Sequence, residues 1–307
     1  MKNFINISDV SKKELRNIID NAKFRKKKRS GLNKNSVDKD NFLNGKILVM
    51  IFEKPSTRTR ISFDLAVKQL GGSSLALNPE EIHYGSGNES IHDTSQILSQ
   101  YADIIMMRTY EHKKILEFSK YLTIPIINGL TDLNHPCQIM SDVMTFEELK
   151  GPIAGKKIAW VGDGNNVVFS LIEAAVMFDF ELSVACPKGY EPNKKILKWA
   201  QKNKKNILVT RNPSLAVKDA DCVMTDKWIS MNDKINKNIK KKKFKPYQVN
   251  KKLMNLAKNN SIFMHCLPAS RGDEVTNDVI DGKQSAVWLE ALNRIHIQKS
   301  IIEWCLK

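Results

Sequence analysis

Residues 52–60, FEKPSTRTR, set hydroxyls and arginines in alternation directly behind an apolar run, Ile47–Phe52. The run fits a buried parallel strand, and Ile61, Phe63, Leu65, Ala66, Val67 and Leu70 continue at helical spacing. Ser56 then falls where a helix begins. Free backbone N–H groups, the positive end of the helix dipole, the hydroxyls of Thr57 and Thr59 and the planar fork of Arg58 can converge there on one phosphate. The same pattern also fits a capped helix whose arginines are solvated.

Other reactive residue types close further apolar runs. Arg108 ends the run at 103–108, His135 and Gln138 sit in HPCQ after 124–128, and Asn165 and Asn166 end VGDGNN after 157–162. Asp226 and Cys266 end two later runs. Each has a plain alternative: the asparagines as helix caps, His135 as a helix-entry residue before Pro136, Cys266 as one more buried thiol. VGDGNN lacks the second and third glycines of a dinucleotide fingerprint, so a nicotinamide cofactor is not expected. The five cysteines, Cys137, Cys186, Cys222, Cys266 and Cys305, show neither CxxC nor Cys/His ligand spacing. Reduced thiols and no metal are the expectation.

Elements that could position these residues follow from the periodicity. A capped amphipathic helix is expected over 8–29, then strands at 46–52, 73–78, 103–108 and 124–128 alternating with helical segments. A helix from 136 to about 150 ends at Gly151-Pro152. Strands at 157–162, 182–187, 206–210, 222–226 and 261–267 form a second set, and 286–307 reads as a closing helix. The fold class is α/β, with two domains that each hold a mainly parallel sheet flanked by helices. Ligands of open α/β sheets bind outside the carboxyl ends of the strands, so polar groups at six strand ends predict an active site in the cleft between the domains.

Composition narrows the function classes. The 42% hydrophobic content is ample for ordinary cores, and no apolar run approaches the roughly 18 residues of a membrane helix. Residues 1–15 lack the apolar centre of a secretory signal, so a cytoplasmic protein with no membrane partner is expected. Forty-nine Lys and Arg against 33 Asp and Glu give a net charge of +16, which by itself suggests a polyanion partner. The excess lies in lysine runs, including 26–29 and 240–243, with no aromatic interleaving. These read as solvated helix faces, and no nucleic acid is expected.

The ordered set STRTR (56–60), HPCQ (135–138), DKWISM (226–231) and HCLP (265–268) resembles the signatures of the ornithine carbamoyltransferases along nearly the whole chain. The first two motifs are similar to those of all carbamoyltransferases, whereas the last two resemble the ornithine branch and not the aspartate branch. The run KKKKFKPYQVNKKLM also resembles the segment that follows the Ser-Met loop in that family. The resemblance implies a carbamoyl-phosphate-binding domain at 1–149, with a helix at 290–307 packing back on it, and an ornithine-binding domain at 150–289. It implies carbamoyl transfer from carbamoyl phosphate to L-ornithine, giving L-citrulline and phosphate, a step of the arginine-synthesis type.

Residue by residue, the resemblance assigns the phosphate to Ser56, Thr57, Arg58 and Thr59, with Arg108 shared between phosphate and carbonyl. His135 and Gln138 would bind the carbamoyl group, Cys266 and Leu267 would lie beside the reacting amine, and Arg294 would reach the carbonyl. Asn166, Asp226, Ser230 and Met231 would hold the α-amino and α-carboxyl end of ornithine. Arg108, His135 and Cys266 carry the catalytic roles, Cys266 as a thiolate that favours or accepts loss of the amine's proton, with the phosphate leaving group the alternative acceptor of the final proton. No metal or organic cofactor is implied, and a homotrimer or a multiple of trimers is expected. Two positions depart from the family: Asn232 replaces the usual glycine after Ser-Met, and His83-Tyr84-Gly85 stands where many relatives carry a glutamine supplied to a neighbouring subunit.

Overall fold

Residues 1–78, 89–229 and 236–307 are described by the computed structural model, and they form two compact units. Unit 1 is Met1–Met140 with Asn293–Lys307, and unit 2 is Ser141–Leu292. The candidates His83, Tyr84, Gly85, Ser230, Met231 and Asn232 lie outside the described residues.

Unit 1 opens on a 3-10 turn, Ile7–Asp9, and then α1 (Lys12–Lys28). The helix starts later than residue 8 because Ser11 is its cap. Ser11 Oγ accepts the Glu14 N–H at 3.3 Å, which caps the helix, and donates to Glu14 Oε2 at 2.8 Å. There follow β1 (Ile47–Phe52), α2 (Thr57–Gln69), β2 (Ser73–Leu77), α3 (Ile91–Tyr101), β3 (Ile104–Arg108), α4 (His112–Tyr121), β4 (Ile126–Leu130) and the start of α5 (Pro136–Lys150). The strands are parallel in the order β2-β1-β3-β4. Burial of both faces explains why β1 and β3 read as unbroken apolar runs. β4 lies two residues beyond the expected 124–128 at both ends: Pro125 has no N–H to give the ladder, so the strand begins after it, and Leu130 still accepts from Thr109 N at 3.1 Å. Gly151, at φ +75, ends α5 in the left-handed region that favours glycine.

Unit 2 contains β5 (Lys157–Val161), α6 (Asn166–Met177), β6 (Glu181–Ala185), α7 (Lys194–Lys202), β7 (Leu208–Thr210), α8 (Pro213–Val217), β8 (Cys222–Thr225), α9 (Lys237–Phe244), α10 (Lys251–Met254), β9 (Ile262–His265) and α11 (Asn277–Ile280). Its parallel sheet has the order β7-β6-β5-β8-β9. α12 (Val287–Leu306) begins in unit 2 and supplies unit 1 from Asn293 onward. Among the described residues no helix is long and apolar enough to cross a membrane.

In each unit the strand order reverses once, and the reversal fixes where a ligand can enter. The chain leaves β1 for β2 on one side and then for β3 on the other, and it leaves β5 for β6 and later for β8. Helices therefore diverge beyond the carboxyl ends of β1/β3 and of β5/β8, opening a crevice at each switch point.

An ionic cluster inside unit 1 fixes the carboxyl half of α12. Arg25 Nε donates to Glu303 at 2.7 Å and its Nη2 to Asp40 at 2.7 Å, while the fully buried Lys299 donates to Asp38 at 2.8 Å and Gln69 at 3.0 Å. Burial of the charges demands such pairing, because an unpaired ion there would carry its whole desolvation cost.

Candidate functional site

At the first switch point Ser56 caps α2. Its hydroxyl accepts the Thr59 N–H at 3.3 Å, with Thr57 and Arg58 on the first turn. Arg108, the last residue of β3, is in register with Phe52 at the end of β1, so the socket and this arginine share one edge of the sheet. His135 precedes Pro136, which begins α5 as proline often does, needing no N–H partner there. Gln138 follows one turn on. Arg294, from α12, donates through Nη1 to Gln138 Oε1 at 2.9 Å and through Nη2 to Thr59 Oγ1 at 2.8 Å. All of the unit 1 candidates are thus placed around one crevice.

The loop bearing His135 is itself pinned. The side chain of Asn134 accepts from Asn128 Nδ2 at 2.6 Å and donates to Asn6 Oδ1 at 2.5 Å, while both amides reach the Ile5 carbonyl. His135 is buried, and burial first, then the charges of Arg294, Arg108 and Arg58, hold its pKa well below the ordinary histidine value. It is a neutral imidazole that can donate one ring N–H beside three cations.

The second switch point is acidic. Asn165 caps α6, accepting from Val167 N at 3.0 Å and Val168 N at 3.3 Å, and its Nδ2 donates to Asp226 Oδ2 at 2.9 Å across the reversal between β5 and β8. Asn165 is therefore both a cap and a partner of Asp226, and Asn166 is the first residue of the helix. Cys266 Sγ donates to the other oxygen, Asp226 Oδ1, at 3.2 Å. That bond corrects the expected thiolate. Burial first, then the fields of Asp226 and Glu290, push the Cys266 pKa well above the ordinary thiol value, so it is a protonated donor. Leu267, next along, has φ +58 and its N–H donates to His265 Nδ1 at 2.8 Å.

Asp226, His265 and Cys266 bring one donor atom each within 4.8 Å, a spacing a metal ion could use. His265 does not fit that role: Nδ1 is taken by Leu267 and Nε2 faces Glu274 Oε1 at 3.3 Å. Two ligands are too few for a tetrahedral zinc site.

One supporting residue departs from the solvated lysine face read from the sequence. Lys240 is buried, pairs with Asp163 of the 162–166 loop at 2.7 Å and lies over the rings of Tyr190 and Phe244. In a run of four lysines the only signal was the four-residue spacing to Phe244, which places both on one helix face.

Comparison with known proteins agrees over the full chain. Residues 2–148 match the model of the aspartate/ornithine carbamoyltransferase carbamoyl-P binding domain, and residues 154–305 match the Asp/Orn binding domain. Ornithine carbamoyltransferase of Brucella suis is 50% identical over 310 residues, covering 100% of this chain and 96% of that protein. That of Rhizobium meliloti is 50% identical over 305 residues, covering 99% and 98%. The structure of ornithine carbamoyltransferase from Pyrococcus furiosus aligns with a TM-score of 0.92 at 44% identity over 98% of this chain and 96% of that one. Anabolic ornithine carbamoyltransferase from Campylobacter jejuni aligns at 0.91, with 35% identity over 99% of both chains. By both domain matches and by full-length identity, this chain belongs to the aspartate/ornithine carbamoyltransferase family.

Proposed function

We propose that the chain transfers the carbamoyl group of carbamoyl phosphate to the side-chain amine of L-ornithine, yielding L-citrulline and phosphate. The observation that carries this reading is the opposite charge of the two switch points. One gathers Arg58, Arg108 and Arg294 around a neutral histidine, and the other presents the Asp226 carboxylate held by Asn165 and Cys266. An anionic acyl donor suits the first, and an ammonium-bearing amino acid suits the second.

In this reading Ser56, Thr57, Arg58 and Thr59 hold the phosphate, Arg108 spans phosphate and carbonyl, and His135, Gln138 and Arg294 take the carbamoyl group. Asp226 pairs with the α-ammonium, Asn166 reaches the α-carboxyl end, and Cys266 and Leu267 flank the amine. Ser230 and Met231 complete the amino-acid site by the family motif. The uncharged amine nitrogen attacks the carbamoyl carbon and negative charge grows on the carbonyl oxygen. His135, Arg108 and Arg294 stabilise it with donors already in place. The C–O bond to phosphate then breaks, and the nitrogen's proton passes to the departing phosphate. Cys266 remains a thiol and orients the amine rather than taking its proton. No group outside the two substrates enters the balance.

We assign residues 1–149 with 290–307 to carbamoyl phosphate and 150–289 to ornithine, and place the protein in the cytoplasm as a homotrimer or a multiple of trimers. The test is to mix the purified protein with carbamoyl phosphate and, separately, ornithine, putrescine and aspartate. Citrulline from ornithine, with the other amines poor, is the expected result; carbamoyl aspartate instead would overturn it.

A further inference from the structure

Asn134 is fully buried in the loop between β4 and α5, immediately before His135. Its side-chain amide is saturated. Oδ1 accepts from Asn128 Nδ2 at 2.6 Å and from Thr131 Oγ1 at 3.1 Å, while Nδ2 donates to Asn6 Oδ1 at 2.5 Å and to the Ile5 carbonyl at 3.3 Å. An amide offers two donor hydrogens and an oxygen with two lone pairs, so no capacity is left over. The backbone of Asn134 is committed as well. Its N–H donates to Thr131 Oγ1 at 3.3 Å and its carbonyl accepts the Thr131 N–H at 3.0 Å, closing the loop on itself.

The network has one direction. Asn6 Nδ2 donates to the Asp9 carboxylate at 2.7 Å, and the Ile5 carbonyl, which can only accept, takes a bond from Asn128 Nδ2 at 3.0 Å as well as from Asn134. Asn128, Asn134 and Asn6 therefore run head to tail from β4 to the N-terminal segment. That segment lies along the outer edge of β4, bridged to it at Phe4 and Ile127. The Phe4 N–H donates to the Ile126 carbonyl at 3.0 Å, the Asn128 N–H to the Phe4 carbonyl at 2.8 Å, and Asn3 Oδ1 accepts the Ile126 N–H at 3.1 Å. The backbone ahead of His135 is thus held by a residue 128 positions earlier, and Pro136 stiffens it from the other side.

We propose that Asn134, with Asn6 behind it, is a positioning residue for carbamoyl transfer: it sets the backbone from which His135 projects, so that the imidazole N–H meets the carbonyl oxygen as charge develops there. A donor aligned before the substrate arrives need not reorganise during the reaction, and a misplacement of about 1 Å can cost about a hundredfold. Removing the amide leaves Asn128, Thr131 and Ile5 with buried groups to satisfy, and the loop must shift to satisfy them. Residues 3–6 act on the reaction through Asn134. This rests on the reading of His135 as a donor to the carbamoyl oxygen.

The test compares wild type with Asn134→Ala, Asn6→Ala, the double variant and His135→Ala. It reads kcat, KM for ornithine, binding of inorganic phosphate, the imidazole nitrogen resonances of His135, and thermal unfolding without ligand. Asn134→Ala should lower kcat by roughly ten- to a hundredfold and move the His135 resonances, while phosphate binding and KM for ornithine stay near wild type. Asn6→Ala removes one of the four bonds and should do the same to a smaller degree. Because it acts through Asn134, its effect should largely vanish in the Asn134→Ala background. A folded Asn134→Ala with wild-type kcat and unmoved His135 resonances overturns the inference and leaves the proposed reaction standing. So does an Asn134→Ala that fails to fold while Asn6→Ala matches wild type in kcat and resonances. Wild-type kcat in His135→Ala overturns both the inference and the role of His135.

Discussion

Arg294 donates to the hydroxyl of Thr59 at 2.8 Å, joining residues 235 apart in sequence, and its second terminal nitrogen engages Gln138. One guanidinium thereby fixes the first turn of α2 against the first turn of α5, the two places that carry the phosphate and carbamoyl candidates. Its own position is set further along α12, where Lys299 and Glu303 are tied to Asp38 and Arg25.

Arg294→Ala should therefore lower kcat/KM for carbamoyl phosphate by about a hundredfold or more, as does loss of a single donor at an oxyanion site. Thr59→Val should lose less alone. Because the two groups are in contact, the double variant should show a coupling of about 0.5–3 kcal/mol in the transition-state free energies. Strict additivity in that cycle would show that the bond to Thr59 does not serve the reaction.

Cys266 is held as a thiol by the carboxylate it donates to, and this gives a prediction opposite to a thiolate nucleophile. Alkylation at neutral pH should be slower than that of a free cysteine, since only the thiolate reacts. Cys266→Ser, which keeps a donor to Asp226, should retain much more activity than Cys266→Ala. Fast alkylation of wild type at neutral pH would contradict the assigned protonation state.

Much of the fold was legible because parallel strands buried on both faces leave unbroken apolar runs, and because Ser56, Pro136 and Gly151 mark helix ends by residue type alone. The candidate residues at the strand ends were legible for the same reason. The groups that hold them were not. Lys240 looked like surface charge, the Lys299–Asp38 pair joins residues 261 apart, and the state of Cys266 depends on Asp226, 40 residues earlier. Such pairings depend on which strand ends the topology makes neighbours, information that local periodicity lacks.

Acid stability follows from histidines buried as neutral rings. Burial first, then Lys299, Lys26 and Arg29, lower the His296 pKa from 6.5 to about 3, with Asp38 opposing. Below the unfolded value the unfolded chain binds a proton that the folded chain refuses. The His296 contribution is therefore fully present above pH 6.5 and is lost as pH falls from 6.5 to about 3. Within that window one such group gives a slope of about 1.4 kcal/mol per pH unit. His135 and His112 act in the same direction. His296→Gln should be less steep by about that amount in denaturant midpoints converted to free energy; an unchanged slope would assign the acid limb to other groups.

Asp226 separates ornithine from amines that lack an α-amino group. Its two oxygens already accept from Asn165 and Cys266, so the carboxylate is held in one orientation before any substrate arrives. An α-ammonium placed against it gains a charge pair that δ-aminovalerate, which keeps the reacting amine and the carboxylate but has no α-amino group, cannot form. Truncating one member of a buried, hydrogen-bonded pair costs about 2–5 kcal/mol, so Asp226→Ala should lose on the order of tens to thousands of fold in kcat/KM for ornithine. Its weak activity on δ-aminovalerate should change far less, because that substrate has no ammonium to lose a partner. Asp226→Asn keeps the shape and an acceptor but removes the charge, so it distinguishes pairing with ornithine from support of the 162–166 loop. If charge is what the substrate reads, the Asn variant should resemble the Ala variant on ornithine and the wild type in thermal stability. Equal losses for both amines in both variants would mean that Asp226 serves Asn165 and Cys266 alone, and the preference for ornithine would have to arise elsewhere in the second unit.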